Sequence, residues 1–354
     1  MARPKWQRDA FARPWSLAFD VRGAYFAMSL SLFTKGSPEP VSAAPKKARP
    51  KIGIALGGGV ARGWAHIGAL RELIDLGVAP DIIAGASIGA VVGGCFAAGR
   101  LDTLEAFARG LTKRTVFSLL DVSFNGGGLI GGDRLRARLN SAMGPLRIEE
   151  LPIPFVGVAT EIGTGHEIWL KRGPLVEAMC ASYALPGVFE PVRMGGRWLF
   201  DGAIVNPVPV SVARAFGAEI VIALAIGDGS GRGTAIQDLD QTEEEAALPT
   251  PTPTSTRRGS VIGGLWPRRF WTSEGSNAPS LAAVMVNTFN ITQDRIMRSR
   301  LAGDPPDVLV TLKVGKIGLF EFHRAEELIA MGRAAVRRSS DEILELLEGA
   351  MAGS

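Results

Sequence analysis

Short apolar runs closed by glycine or a polar turn alternate along the chain with segments of helical periodicity. KIGIALG (51–57) carries Ile52, Ile54 and Leu56 in a run ended by glycine, the pattern of a buried strand. GGGV follows, then ARGWAHIGALRELIDLG, where Trp64, Ile67, Leu70, Leu73 and Ile74 recur at helical spacing and Gly77 marks the stop. DIIAGA (81–86) predicts a second strand, and IGAVVGGCFAAG (88–99) a second helix whose small residues call for close packing. Strand, Gly-rich loop, helix, strand, turn and helix in this order predict an α/β fold of parallel strands covered by helices. Later strands are predicted at 154–160, 166–170, 197–200, 220–226 and 307–314, and helices at 174–184, 208–216, 281–301 and 323–348.

Two stretches break the pattern. PEPVSAAPKKARPK (38–51) reads as a linker behind an N-terminal arm, and residues 228–279 contain Gly-rich, acidic and Pro/Thr-rich low-complexity sequence. The expected organisation is a basic arm at 1–49, a catalytic core at 50–227, an insertion at 228–279, and a segment at 280–354 that completes the same domain. Within 354 residues, 46% apolar content supports a sizeable core. The net charge of +4 is uneven: residues 1–51 hold ten Lys/Arg against three Asp/Glu, or +7, leaving −3 for the rest. Such an arm is either a solvated tail or a contact for anionic lipid or nucleic acid, though nothing elsewhere in the chain suggests nucleic-acid chemistry. Its run GAYFAMSLSLF (23–33) is too short to span a bilayer and reads as an interfacial helix, while a signal peptide within 1–40 stays open. SVIGGLWPRRFW (260–271) is either a membrane-dipping segment or a lid edge. Two separated cysteines, Cys95 and Cys180, make no disulfide framework or zinc spacing and fit a reducing, cytoplasmic compartment. Nothing points to a metal, a cofactor or a nucleic-acid partner.

The candidate chemistry gathers at the ends of predicted strands. Gly85-x-Ser87-x-Gly89 has the spacing of a nucleophile elbow, a serine on a tight strand-to-helix turn. The loop GGGVARG (57–63) joins a strand to a helix, and its backbone amides at Gly58, Gly59 and Val60 are candidate oxyanion donors. Gly57 and Gly63 flank the loop, and Arg62 would orient it or balance negative charge. A phosphate-binding loop fails because Trp64 and Ala65 follow Gly63, and a dinucleotide site lacks the acid expected after the second strand. For the base, Ser87…Asp201…His323 follows the chain order of α/β-hydrolase triads, yet Ser87 comes after only two strands. His66 is expected to pack or hydrogen-bond within its helix, and His323 to open the last one. A partly buried aspartate can serve instead, and Asp201, in a turn with Gly202 after the apolar strand of RWLFDGA, is the best placed. Glu161 and Asp133 have weaker contexts.

Together these blocks resemble the patatin-like phospholipases, in particular compact bacterial members, over about residues 50–226. GGGVARGWAHIG resembles the oxyanion block, GASIGA the serine elbow and DGA (201–203) the aspartate block. ATEIGTG (159–165), ASYALPGVFEPV (181–192) and the segment 303–332 are similar to family segments as well. The resemblance implies a three-layer α/β/α sandwich with a mostly parallel central sheet. It also implies a Ser87–Asp201 dyad without histidine or metal, and acyl-ester hydrolysis on lipids through an acyl-enzyme, of phospholipase A or lysophospholipase type. A non-turnover lipid-binding adaptor on the same fold is the alternative. Val60 stands where many bacterial relatives have a fourth glycine, and its side chain would narrow the pocket; Glu161 replaces the more usual aspartate.

Overall fold

The structure is a computed structural model that describes residues 49–119, 128–130, 132–227 and 281–352. The arm with its 23–33 run, and the 228–280 stretch with 260–271, lie outside the described residues. Every strand expected from the pattern is present: β1 (Ile52–Leu56), β2 (Ile82–Ala86), β4 (Phe155–Glu161), β5 (Glu167–Leu170), β8 (Arg197–Asp201), β9 (Ile220–Gly227) and β10 (Val308–Lys313). Three short ones went unpredicted: β3 (Gly128–Ile130), β6 (Gly187–Phe189) and β7 (Val192–Met194). The central sheet runs β10-β9-β1-β2-β4-β8-β7, with β5 also on β4. Strands β10, β9, β1, β2 and β4 are mutually parallel, and β5, β7 and β8 are antiparallel additions.

The register on β4 decides where the chemistry falls. β2 pairs residues 155–158, β5 pairs 157–160, and β8 pairs 159–161. Since β5 overlaps both of the others, it must occupy the opposite edge, and β8 continues the edge that β2 leaves. Ala86 lies opposite Val158, and Asp201 lies opposite the next residue, Ala159. One strand therefore departs at Ser87 where the other arrives at Asp201.

Alternation within the buried strands sorts the two faces by size. Ile54, Leu56, Ile83, Ile222 and Leu224 face one layer, built from α1 (Ala65–Asp75), α2 (Ile88–Ala97), α6 (Leu175–Tyr183) and α9 (Ala325–Arg338). Ala55, Ala84, Ala86 and Ala223 face the other, covered by α7 (Val210–Ala215) and by Phe289, Met297 and Leu301 of α8 (Leu281–Gly303). At about 1.5–3 kcal/mol per fully buried large aliphatic, the first face carries most of the apolar stabilisation. The arrangement is the three-layer sandwich that the resemblance implied.

Helical expectations needed more correction. The pattern predicts no helix over 101–143, yet this stretch contains α3 (Leu101–Arg109), α4 (Lys113–Leu119) and α5 (Asp133–Met143). The helix expected over 323–348 is two, α9 and α10 (Ser340–Ala352), parted at Ser339. His323 sits before them in a 3₁₀ turn, Phe322–Arg324, and does not open a helix. Among the described residues no helix is long and apolar enough to cross a membrane.

Helices α1 and α9 meet backbone to backbone. A Cβ at Gly68 would strike the Ile329 carbonyl, and one at Gly332 would strike that of Ala65. Glu72, buried in this seam, receives Arg337 at 2.6 Å and Arg333 at 3.0 Å. Since neither backbone can yield without moving a helix, Gly332→Ala and Gly68→Ala should each lower unfolding free energy by about 3 kcal/mol, measured by urea denaturation.

Candidate active site

Ser87 ends β2 and begins α2 with φ 56° and ψ −129°, a conformation that L-residues rarely adopt. The elbow is imposed by close approach on both sides. A Cβ on Gly85 would come within 2.5 Å of the Gly89 carbonyl oxygen, and one on Gly89 would strike the carbonyl of Leu56. Gly63 and Gly202 are crowded likewise, against Ile88 and the Val158 carbonyl. Ser87 N–H donates to Ser182 Oγ at 3.0 Å, and that hydroxyl donates to Val158 O at 2.5 Å. No sequence pattern singles out Ser182, the small hydroxyl in the mostly apolar AMCASY of α6.

Ser87 Oγ donates to Asp201 Oδ2 at 2.6 Å. Both residues are buried, at 2% and 1% exposure. Asp201 caps the short turn Gly202–Ile204 by accepting Ala203 N–H at 2.8 Å on Oδ1. Its backbone is held as well: its N–H donates to Ala184 O, and Thr160 Oγ1 donates to its carbonyl. Burial raises the Asp201 carboxyl to about 7, against the opposing pull of the Ser87 hydroxyl and the Ala203 amide. Histidine forms no hydrogen bond with either residue. His66 reaches out of its helix instead, its Nε2 lying 2.8 Å from the Gly57 carbonyl. Its burial lowers its pKa to about 4, so the ring is neutral and donates Nε2–H. His66 thus braces the glycine loop rather than packing within α1.

The amides of the loop differ in what they already bind. Gly58 N–H donates to Pro207 O at 3.1 Å, Gly57 N–H to Leu224 O, Ala61 N–H to Leu319 O, and Arg62 N–H to Gly59 O. Among the described residues no partner takes the Gly59 or Val60 amide, the other two of the expected three. Gly58 contributes by lacking a side chain, since a Cβ there would lie 2.5 Å from Gln293 Nε2 and 3.3 Å from Ser87 Cβ. The Gln293 amide of α8 therefore sits beside the loop, which no sequence pattern announced. Arg62 orients the loop from outside, donating to Ile317 O at 2.7 Å and Gly315 O at 3.3 Å. Val60 takes φ 52° and buries its side chain with Leu185, Val188 and Val286. Glu161 pairs with Arg197 at 3.2 Å, and Asp133 with Arg136 at 3.7 Å, so both acids are engaged in other pairings.

Residues 54–214 match the family described as Patatin-like phospholipase. An uncharacterized NTE family protein of Mycobacterium tuberculosis is 34% identical over 323 residues, covering 80% of this chain and 90% of that protein. Patatin-like phospholipase domain-containing protein 7 of Mus musculus is 33% identical over 177 residues, 48% of this chain and 13% of that one. Among solved structures, human GIVD cytosolic phospholipase A2 aligns at TM-score 0.37 and 13% identity, over 86% of this chain and 60% of that one. The chain belongs to the patatin-like phospholipase family. That membership supports lipid acyl hydrolase activity in general terms.

The raised Asp201 carboxyl makes a stability prediction with a definite sign. Its protonated form is favoured by the fold, so its contribution is full below the unfolded value of 3.8 and is lost as pH rises to about 7. Asp201→Asn keeps an acceptor for Ala203 N–H without the buried charge. Its stability advantage over wild type should widen by a few kcal/mol between about pH 5 and about pH 8, read from denaturant midpoints.

Proposed function

We propose that this protein is a serine acyl hydrolase of phospholipase A or lysophospholipase type, with Ser87 as nucleophile and Asp201 as general base. The observation that carries it is the buried 2.6 Å hydrogen bond from a strained elbow serine to a carboxylate held near neutrality. A carboxylate tuned to about 7 accepts a proton far better than an ordinary one, and still returns it. In the first half-reaction, Ser87 Oγ attacks the ester carbonyl carbon while its proton passes to Asp201 Oδ2. The oxyanion of the tetrahedral intermediate takes the Gly59 and Val60 amides, each worth roughly 10²–10³ in rate in comparable sites. Collapse expels the alcohol, which receives the proton from Asp201, and leaves the acyl group on Ser87. Water then attacks the acyl-enzyme, giving its proton to Asp201. The fatty acid leaves, and the proton returns to Ser87 Oγ.

The substrate follows from family and surroundings: an ester of a long acyl chain in a phospholipid, lysophospholipid or neutral lipid. The +7 charge of residues 1–51 supports approach to an anionic lipid surface. An adaptor that binds lipid without turnover has no use for a base at about 7 bonded to an elbow serine.

Ser87→Ala and Asp201→Asn should each lower kcat on a phospholipid or lysophospholipid panel by at least ~10³-fold, with circular dichroism unchanged. Wild-type kcat should rise with pH through about 7 and level off above it, because only ionised Asp201 accepts the proton. Near-full activity in purified Ser87→Ala would sink the assignment.

A further inference from the structure

Helix α8 turns an apolar stripe toward the sheet and interrupts it with one amide. Phe289, Met297 and Leu301 pack against the alanine face, and Gln293 falls between them at the same spacing of four. Gln293 is half-buried, and among the described residues no hydrogen bond engages its side chain. An amide turned inward on such a stripe ordinarily finds a protein partner, and a leucine would pack there at less cost.

Where the amide points is read at Gly58. The position a Gly58 Cβ would take lies 2.5 Å from Gln293 Nε2, 2.9 Å from Ala203 Cβ and 3.3 Å from Ser87 Cβ. One carbon-sized gap is therefore bounded by the Gln293 amide, the elbow serine and the turn that follows Asp201. The next residue along the loop is Gly59, whose amide has no partner among the described residues. Gly58 N–H, by contrast, is taken by Pro207 O at 3.1 Å. A side-chain N–H thus stands on the Ser87 side of the one glycine whose backbone N–H is turned to another partner.

The helix that carries Gln293 is tied to the Asp201 turn. Arg300 Nη2 donates to Glu167 Oε2 at 3.1 Å, and Asn206 Nδ2 donates to Glu167 Oε1 at 3.0 Å. Asn206 also gives its backbone N–H to Gly202 O, within the turn that Asp201 caps. A donor acts on a transition state only when it is held in place beforehand, and this chain of contacts sets α8 relative to Asp201.

We propose that Gln293 is a third oxyanion donor, its Nε2–H binding the ester oxygen together with the Gly59 and Val60 amides as Ser87 attacks. Ser87 Oγ bonds to the carbonyl carbon, the π pair of the C=O moves onto oxygen, and Asp201 takes the serine proton. Gln293 donates a hydrogen bond to that oxygen and exchanges no proton. The inference rests on the hydrolase reading of Ser87.

The test compares full-length wild type with two variants on nitrophenyl butyrate and ethyl butyrate, which share an acyl group and differ in the alcohol. In Gln293→Leu, kcat/KM should fall by about 10²-fold on both esters, because the oxyanion is common to them. Its thermal midpoint should hold or rise, since leucine completes the apolar stripe. Gln293→Glu keeps the shape but sets a carboxylate against the developing charge, so its loss should be larger. If leucine unfolds the chain, Gln293→Glu carries the same comparison. Labelling of Ser87 by a biotinylated fluorophosphonate should slow in the same order: Ser87 Oγ bonds to phosphorus, fluoride leaves, Asp201 takes the proton, and the phosphoryl oxygen meets the same donors. Wild-type kcat/KM in folded variants overturns the assignment. So does a loss confined to one alcohol, which sets the amide against the leaving group instead. A folded wild type that cleaves neither ester and takes no label at Ser87 overturns the hydrolase reading and this inference with it. A labelled wild type whose variants label equally fast overturns the donor alone.

Discussion

The structure turns on one buried hydrogen bond between two strands that share an edge. β2 gives up the edge of β4 at Ala86, and β8 takes it at Asp201, so the serine and the aspartate face each other across that vacancy. No loop has to be folded over the site to bring them together, because sheet register does it. The glycines at 85, 89 and 202 follow from the same crossing, since each lies where one backbone passes within contact of another. Burial then does two things at once. It costs the charged form of Asp201, and by raising its pKa to about 7 it suits that carboxylate to the role of base proposed for it.

The glycine loop at 57–63 shows a similar balance. A β-branched residue in the left-handed region costs on the order of 1–2 kcal/mol, and Val60 sits there at φ 52°. Burying a valine side chain contributes about as much in the other direction, and Val60 is packed with Leu185, Val188 and Val286. The two terms are comparable, so valine is tolerated at a position that suits glycine. The expected narrowing of the pocket becomes a hydrophobic seat between the loop, β6 and α8. His66 under Gly57 and Arg62 over residues 315–317 hold the loop from its two ends.

The parts of this site that were legible in the sequence are those fixed by local backbone rules. Gly-x-Ser-x-Gly and Asp-Gly at strand ends mark an elbow and a turn whatever surrounds them, and apolar runs marked every strand of the main sheet except β7. What escaped was set by long-range contact. The loss of Gly58 as a donor depends on Pro207, distant by some 150 residues of sequence, and Gln293 arrives from a helix beyond the low-complexity stretch. Of the helices of 101–143, α5 buries only Leu139 and Met143, which leaves a weak apolar stripe, whereas α3 carries Leu101, Leu104 and Ala108 on one face and was legible from its periodicity. The break at Ser339 follows no glycine or proline, so the periodicity of 323–348 ran through it.

The scarcity of histidine now has a structural reason. His66 is committed to the Gly57 carbonyl with its proton fixed on Nε2, and burial holds it neutral, so it cannot shuttle a proton without releasing the loop. His323 stands in the turn at 322–324, and His166 is exposed at the end of β5. An imidazole base normally needs a carboxylate behind it to fix its tautomer and to stabilise its charge. Here the carboxylate stands directly against the serine, and the same desolvation that would disfavour an imidazolium raises Asp201 into the range an imidazole would have occupied. In the dyad proposed above, one buried acid would supply the basicity for which a triad uses two residues.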